Sequence, residues 1–312
     1  VRGDSLRNND ARRPTGRLPA EGSTLWDKTV KWDTVIRPIK GWVNLDVREL
    51  FRYRDLAALL VKRNFKLSYK QTVLGPLWVV IQPLITTVVF TVIFGSIAKL
   101  PTDGMPSFLF YMAGNIAWQY FSSCLSQTSS TFIQNRQLFG KIYFPRLIMP
   151  ISTVLTQLIN FFVQFALFLL FLLYFATRAG TGVHPNYMMM LYTPLLLLQM
   201  AALGLGFGII VSALTTRYRD LAMLVNFGVQ LWMYATPIAY STSLIAKSYP
   251  HLMGLYMANP MAPMIELFRR AFLGVPMTGM HYYWLSWVTT AAVLFLGVTL
   301  FTRVEKTFMD TV

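Results

Sequence analysis

Three stretches of this sequence gather side chains able to recognise a partner or a ligand. The first is Asn135–Pro150, NRQLFGKIYFPRLIMP, which sets Arg136, Lys141 and Arg146 among Leu138, Phe139, Ile142, Tyr143 and Phe144. Aromatic side chains beside arginine are what protein interfaces enrich, and the segment is too short to fold as a domain. Asn135, Arg136, Leu138, Phe139, Lys141, Tyr143, Phe144, Pro145 and Arg146 therefore read as a dock for another protein. A short interfacial turn with snorkelling cations would show the same composition.

The second stretch is Asn44–Lys70. At about 100° per residue, Arg48, Arg52, Asp55, Lys62, Arg63 and Lys66 fall in one sector, interrupted by Leu59. Val47, Leu50, Phe51, Ala57, Val61 and Phe65 share another, with Arg54 intruding. A basic stripe on an otherwise apolar helix suits a helix lying at a membrane interface, with its cations at lipid phosphates; an ordinary packed helix is the alternative. Arg52, Arg63 and Lys66 are the candidates for steering an anionic lipid headgroup. Asp46 and Glu49 have the spacing of a capping box at the helix start.

The third stretch holds Tyr111, Asn115, Trp118, Gln119, Tyr120 and Phe121. Sugar rings present C–H faces to aromatic rings and hydroxyls to amides, so Tyr111, Asn115, Trp118, Tyr120 and Phe121 are candidates for a glycan path. An aromatic belt at a bilayer interface explains the same residues without any ligand.

Other chemistry finds little footing. No GxxxxGK[ST] phosphate loop, HExxH or DxD pair occurs, and His184, His251 and His281 lack ligand spacing. The single cysteine, Cys124, has no partner in the chain for a disulfide. Asp220 and Glu266 are the acids a membrane-embedded glycosyltransferase would have to use. No uncharged stretch carries the paired acids of an ion relay, so uphill movement of any cargo requires work from a partner.

These stretches sit in a chain of 312 residues that is 54% hydrophobic and 13% charged, with mean hydropathy +0.46. Such a balance predicts a membrane protein. A charge at the bilayer centre costs about 2.5–3.5 kcal/mol on insertion scales, so uncharged stretches mark the spans. Six are long enough: Gln71–Ala98, Gly104–Asn135, Leu147–Thr177, Ala179–Thr216, Leu221–Ala246 and Ala271–Thr302. A shorter one, Ser248–Met264, carries Pro250, Pro260 and Pro263 and suits broken or re-entrant helices.

With six crossings both termini share a side, and 23 of the 28 Lys and Arg fall on that side. Lys99, Arg178, Lys247, Arg269 and Arg270 fall on the other, which predicts cytoplasmic termini and a cytoplasmic (inner) membrane location. The net charge of +15 is explained by topology and anionic lipid rather than by nucleic acid. Residues 1–43 have no signal-peptide core and read as a disordered cytoplasmic tail.

Between the basic helix and the first span stands YKQTVLGPLW, 69–78. Gly75 and Pro76 end one helix and open the next, and Gln82 and Pro83 interrupt the first turns of the span, as a translocation path or a packing kink would. In LGLGFG, 203–208, Gly204 and Gly208 form a GxxxG face for close helix contact.

LGPLW at 74–78 with Pro83, NRQLFGKIYFPR at 135–146, RYRDL at 217–221, TPIAY at 236–240 and NP at 259–260 occur in the order seen in a known family. Over about residues 45–305 the chain resembles the ABC-2 type permeases that export polysaccharides such as O-antigen, capsule and teichoic acid. The resemblance implies that Asn135–Arg146 is a coupling helix seated on a nucleotide-binding ATPase subunit, two copies of which bind ATP and Mg, with no cofactor in this chain. It implies a homodimer whose first and fifth spans border a conduit. Leu74, Gly75, Pro76 and Trp78 would lie at its cytoplasmic gate, and broken helices within Thr242–Gly279 would form an outer gate.

The expected architecture is all-α and integral to the membrane. It has a tail (1–43), an amphipathic interface helix (44–73), a six-span domain (74–305) with broken helices between spans five and six, and a cytoplasmic C-terminus (306–312). The expected function is a permease, without an ATPase site of its own, for a lipid-linked or lipid-anchored polysaccharide. Export of a drug or small lipid, and a glycosyltransferase, are the alternatives.

Overall fold

A computed structural model describes residues 47–70, 72–135, 144–178, 182–215, 221–276 and 278–309. The tail 1–43, the Asp46 half of the capping box, Arg136–Tyr143, RYRD at 217–220 and residues 310–312 lie outside them. Every regular element among the described residues is helical. The basic segment forms α1 (Val47–Arg52) and α2 (Arg54–Tyr69), separated at Tyr53. A 3₁₀ turn, Gly75–Leu77, leads into α3 (Trp78–Phe90), which continues as a π-helical segment, Thr91–Ile97. Gly75 has φ +51°, a conformation costly to any residue with a Cβ, and Pro76 occupies the first turn. The break expected from the Leu-Gly-Pro triplet is therefore a turn that uses the positive φ of glycine.

Next come α4 (Ser107–Gln134), α5 (Ile148–Ala176), the one-turn α6 (Tyr187–Met190), α7 (Thr193–Thr215) and α8 (Leu221–Tyr234). Three short helices follow: α9 (Thr242–Ser248), α10 (Met253–Met257) and α11 (Met261–Leu273); α12 (Tyr283–Met309) ends the fold. Four described helical stretches are long and apolar enough to cross a membrane: Gly75–Ile97, Ile148–Ala176, Tyr187–Thr215 and Met280–Phe301. The 28-residue α4 matches them in length and carries no charge, but serine, glutamine and asparagine dilute it. The fifth uncharged stretch is not one helix. Its α8 stops after 14 residues, and the chain turns through 235–241 before α9.

Helix α4 is the centre of the bundle, packed by α3, α5, α7, α8 and α11, while α7 also carries α12 on its far side. Leu109 to Ala113, Ile116, Ala117 and Phe121 are completely buried. The GxxxG expectation holds. A Cβ on Gly204 would stand 2.7 Å from Cys124 Cβ, and one on Gly208 2.5 Å from Thr128 Cβ, so α7 and α4 touch along a glycine groove. Buried polar groups then fix register: Gln199 donates to Ser286 Oγ at 3.0 Å, accepts from Tyr283 at 2.8 Å, and Ser286 donates to the Pro260 carbonyl at 2.8 Å.

Candidate docking end and gate

The docking segment is described only at its two ends, and both are tied to α2. On one side Asn135 closes α4: its backbone N–H reaches the Thr131 carbonyl at 3.1 Å and its side-chain amide the same carbonyl at 2.9 Å. Arg63 of α2 donates to Asn135 Oδ1 at 2.8 Å. On the other side Phe144 is buried in a small cluster with Leu60, Ile148 and Met149, against which Leu50, Tyr53, Leu56 and Ala57 of α1–α2 pack. Helix α2 thus meets both described flanks of the segment, one through a polar contact and the other through an apolar one.

Of the docking residues, Arg136, Leu138, Phe139, Lys141 and Tyr143 lie outside the described residues. Asn135, Pro145 and Arg146 are half-buried, and Phe144 points inward as an anchor. Among the headgroup candidates, Arg52 and Lys66 are exposed on α1 and α2, whereas Arg63 is half-buried and committed to Asn135. At the gate, Leu74, Pro76 and Trp78 are exposed beside the Gly75 turn. Helix α3 leaves Ile85, Val88, Val89, Val92 and Ile93 uncovered, and α8 leaves Met223, Leu224, Phe227 and Leu231 uncovered.

The α4 residues expected on a glycan path are not on an open surface: Tyr111, Asn115, Trp118, Tyr120 and Phe121 are all below 7% exposed. The reason is the central position of α4. Trp118 and Phe121 meet Trp232 of α8 at ring-centroid distances of 6.1 and 5.1 Å, Phe207 of α7 meets it at 5.3 Å, and Tyr120 packs on Phe161 of α5 at 5.2 Å. Tyr120 alone of the five also reaches a cleft, between α2, α3, α4 and α5. That cleft begins at Tyr69, whose hydroxyl bonds Asn160 Oδ1 at 3.1 Å and whose pKa burial pushes up despite that bond.

At the opposite end, non-helical backbone is held by groups that sequence reasoning missed. Between α8 and α9 the chain leaves helical carbonyls unpaired, which membrane depth penalises unless protein groups meet them. Arg269 of α11, wholly buried, donates through Nη1 to the Pro237 carbonyl at 2.5 Å, Nη2 to Ile238 at 2.8 Å and Nε to Phe110 at 3.3 Å. Its guanidinium carbon lies 3.6 Å from the Phe110 ring centre, and Glu266, 3% exposed, is 3.6 Å from Nη1. Arg269 is thus an internal strut and not the loop cation that the charge count supposed.

Asn259 completes the frame by using its whole amide. It accepts from Trp232 Nε1 at 2.9 Å and Met261 N at 3.1 Å, and donates to Thr236 Oγ1 at 2.9 Å and the Ala235 carbonyl at 3.2 Å. The TPIAY and NP stretches are therefore two sides of one hydrogen-bonded joint. Asp103, before α4, accepts from the hydroxyls of Ser241 and Ser243, the latter at 2.6 Å. The readable signal was the i,i+3 spacing of Glu266 and Arg269, which places opposite charges on one helix face. This pairing also removes Glu266 as an accessible catalytic acid.

Comparison with known proteins gives the chain a family. A sequence profile of the ABC-2 type transporter family matches residues 56–273. Two proteins of Klebsiella pneumoniae, each named O-antigen export system permease protein RfbA, are 26% identical over 257 residues and 27% identical over 256. Each alignment covers 82% of this chain and 94% of the relative. A Myxococcus xanthus protein of the same name is 29% identical over 226 residues, covering 72% of this chain and 83% of the relative.

Proposed function

The chain belongs to the ABC-2 type transporter family, and from that premise we propose that it is the permease subunit of a polysaccharide exporter. Its cargo is a lipid-linked or lipid-anchored polymer of the O-antigen type, carried across the cytoplasmic membrane. The observation that carries this reading is the match of most of the chain to three permeases named for O-antigen export. Those relatives do not favour the drug or small-lipid alternative, and the burial of Glu266 against Arg269 argues against the glycosyltransferase.

The chain contains no phosphate-binding loop, so the work comes from ATP, with Mg, on a partner ABC ATPase, two copies serving a homodimer of this chain. The partner seats on Asn135–Arg146, and α2 carries its movement to the bundle through Arg63 and Leu60. Six crossings follow if the 14-residue α8, about 21 Å long, is completed across the bilayer by the joint at 235–241. In that arrangement α9–α11 are re-entrant and form the outer gate. Setting Arg269 aside as internal sharpens the charge asymmetry that puts both termini in the cytoplasm. The uncovered faces of α3 and α8 suit a conduit between two copies, with Leu74, Gly75, Pro76 and Trp78 at its inner mouth.

The test is export. The chain is co-expressed with a candidate ATPase in cells that make a lipid-linked polysaccharide but lack their own permease, and surface polymer is scored with a lectin. Surface polymer should appear with the active ATPase and stay inside with an ATPase-dead partner. Polymer that reaches the surface equally without this chain would end the reading.

A further inference from the structure

The cleft between α2, α3, α4 and α5 is lined by amides and aromatic rings. It encloses about 110 Å³. Three helices supply five amides, Gln82, Gln119, Gln157, Asn160 and Gln164; Trp78, Tyr120 and Phe161 supply ring surface. Among the described residues no charged side chain lines it. Gln157, Asn160 and Gln164 stand at i, i+3 and i+7, so they project as one stripe from α5.

An amide facing hydrocarbon without a partner costs several kcal/mol, so this stripe requires something polar beside it. The protein supplies only part. Asn160 donates to Gln157 Oε1 at 3.0 Å and accepts from Tyr69, and Gln119 makes a long 3.4 Å bond to Ser123. Gln164 is 7% exposed, lines the cleft, and has no hydrogen-bond partner among the described residues. Trp78 and Gln82 are exposed at the rim, next to the Gly75 turn.

The chemistry of this lining selects a ligand class. A phosphate would find no cation and a metal ion no carboxylate. An acyl chain would strand the amides. A neutral ring with hydroxyls at its edge and C–H bonds on its face satisfies both kinds of wall, the hydroxyls on the amides and the face on an aromatic ring. We propose that this cleft is a pyranose-binding subsite, holding one sugar unit beside the inner mouth of the conduit. The proposal deepens the polysaccharide reading and rests on it for its biological meaning, while the binding itself is measurable separately.

The experiment uses the full chain with its ATPase partner in lipid nanodiscs. Leu77→Cys places a thiol next in sequence to Trp78 of the rim, at an exposed position outside the lining, and the one cysteine of the sequence, Cys124, is buried. Maleimide labelling is timed with methyl glucoside, galactoside or mannoside, and with the acyclic polyol sorbitol. At least one pyranoside should slow labelling several-fold and sorbitol should not. Adding Gln164→Leu should weaken the protecting sugar by about three- to tenfold, the scale of one neutral hydrogen bond.

Saturation transfer from the wild-type protein to the pyranoside ring protons, reduced in Gln164→Leu, gives the same answer without the introduced thiol. The proposal is overturned if no pyranoside protects or receives transfer, if sorbitol protects equally, or if Gln164→Leu leaves both signals unchanged. Polymer export is scored on the same complex. Export without pyranoside binding removes the subsite and keeps the exporter, whereas pyranoside binding without export does the reverse.

Discussion

The two ends of the helical bundle solve the same problem, irregular backbone beside apolar helices, in opposite ways. At the α9–α11 end, Arg269, Glu266, Asn259 and Asp103 meet the freed carbonyls and hydroxyls with many bonds. At the α2 end, the ties seen from α2 to the flanks of the docking segment among the described residues are the Arg63–Asn135 bond and the small cluster around Leu60 and Phe144. Packed joints of the first kind resist displacement, while lightly anchored elements are those that move at low cost. The contrast assigns the denser bonding to the α9–α11 end and the lighter anchoring to the α2 end.

The largest expected effect tests the densely bonded end. Arg269→Ala leaves Glu266 buried without its partner and strips three carbonyls of a donor, a class of change that costs about 3–5 kcal/mol. The protein should fail to accumulate, or its thermal midpoint in detergent should fall steeply. Arg269→Met combined with Glu266→Leu should recover part of the loss, because removing both charges removes the unpaired one. If Arg269→Ala is as stable as wild type, the Arg269 joint is not what holds the 235–241 turn.

Gly114→Ala probes the same joint more gently. A Cβ there would stand 2.6 Å from Arg269 Nη2, so the guanidinium must shift from its carbonyls. Overpacking of this kind costs about 1–3 kcal/mol. Combined with Arg269→Ala, its separate cost should largely vanish, which a melting series on the single and double variants would read.

How much of this contrast the sequence disclosed depends on which physical signal each part leaves. Uncharged stretches located the long helices, because burial of charge in lipid is costly whatever the neighbours. Gly204 and Gly208 announced their own packing, since only small residues allow that approach. The aromatics of α4 gave no such guide. In lipid, the core face and the outer face of a helix are both apolar, so Trp118 and Phe121 look alike whether they face a conduit, a lipid or Trp232. Arg269 was misplaced because a charge count treats every cation near a span end as exposed. Gln82 was legible as a polar interruption, but its companions on α4 and α5 are brought to it only by tertiary packing.

At the lightly anchored end, Leu60→Ala removes the apolar anchor under Phe144. The loss is about 2 kcal/mol, at the lower end for a buried leucine because the cluster is small. Its signature should differ from that of the Arg269 and Gly114 variants: near-normal protein yield, with ATP turnover by the partner no longer raised by polymer. A drop in yield with coupling intact would place Leu60 with the densely bonded frame instead.

Arg63→Ala is the mildest change and the sharpest test of the comparison. It removes one side-chain bond between half-buried groups, worth about 1 kcal/mol in stability, and Asn135 keeps its own bonds to Thr131. A purely structural role would lower the melting point slightly and leave transport per ATP unchanged. A hinge role predicts the opposite balance, because Arg63 is the only polar tie shown between α2 and the α4 flank of the docking segment among the described residues. Polymer exported per ATP should then fall while the complex still assembles and melts nearly as before. Arg63→Lys keeps the charge but presents a single ammonium in place of the guanidinium fork, which Arg63 also uses toward Asn64 Oδ1 at 3.3 Å. It should therefore restore coupling only in part, and full restoration would show that charge near the headgroups, rather than the bond to Asn135, is what Arg63 contributes.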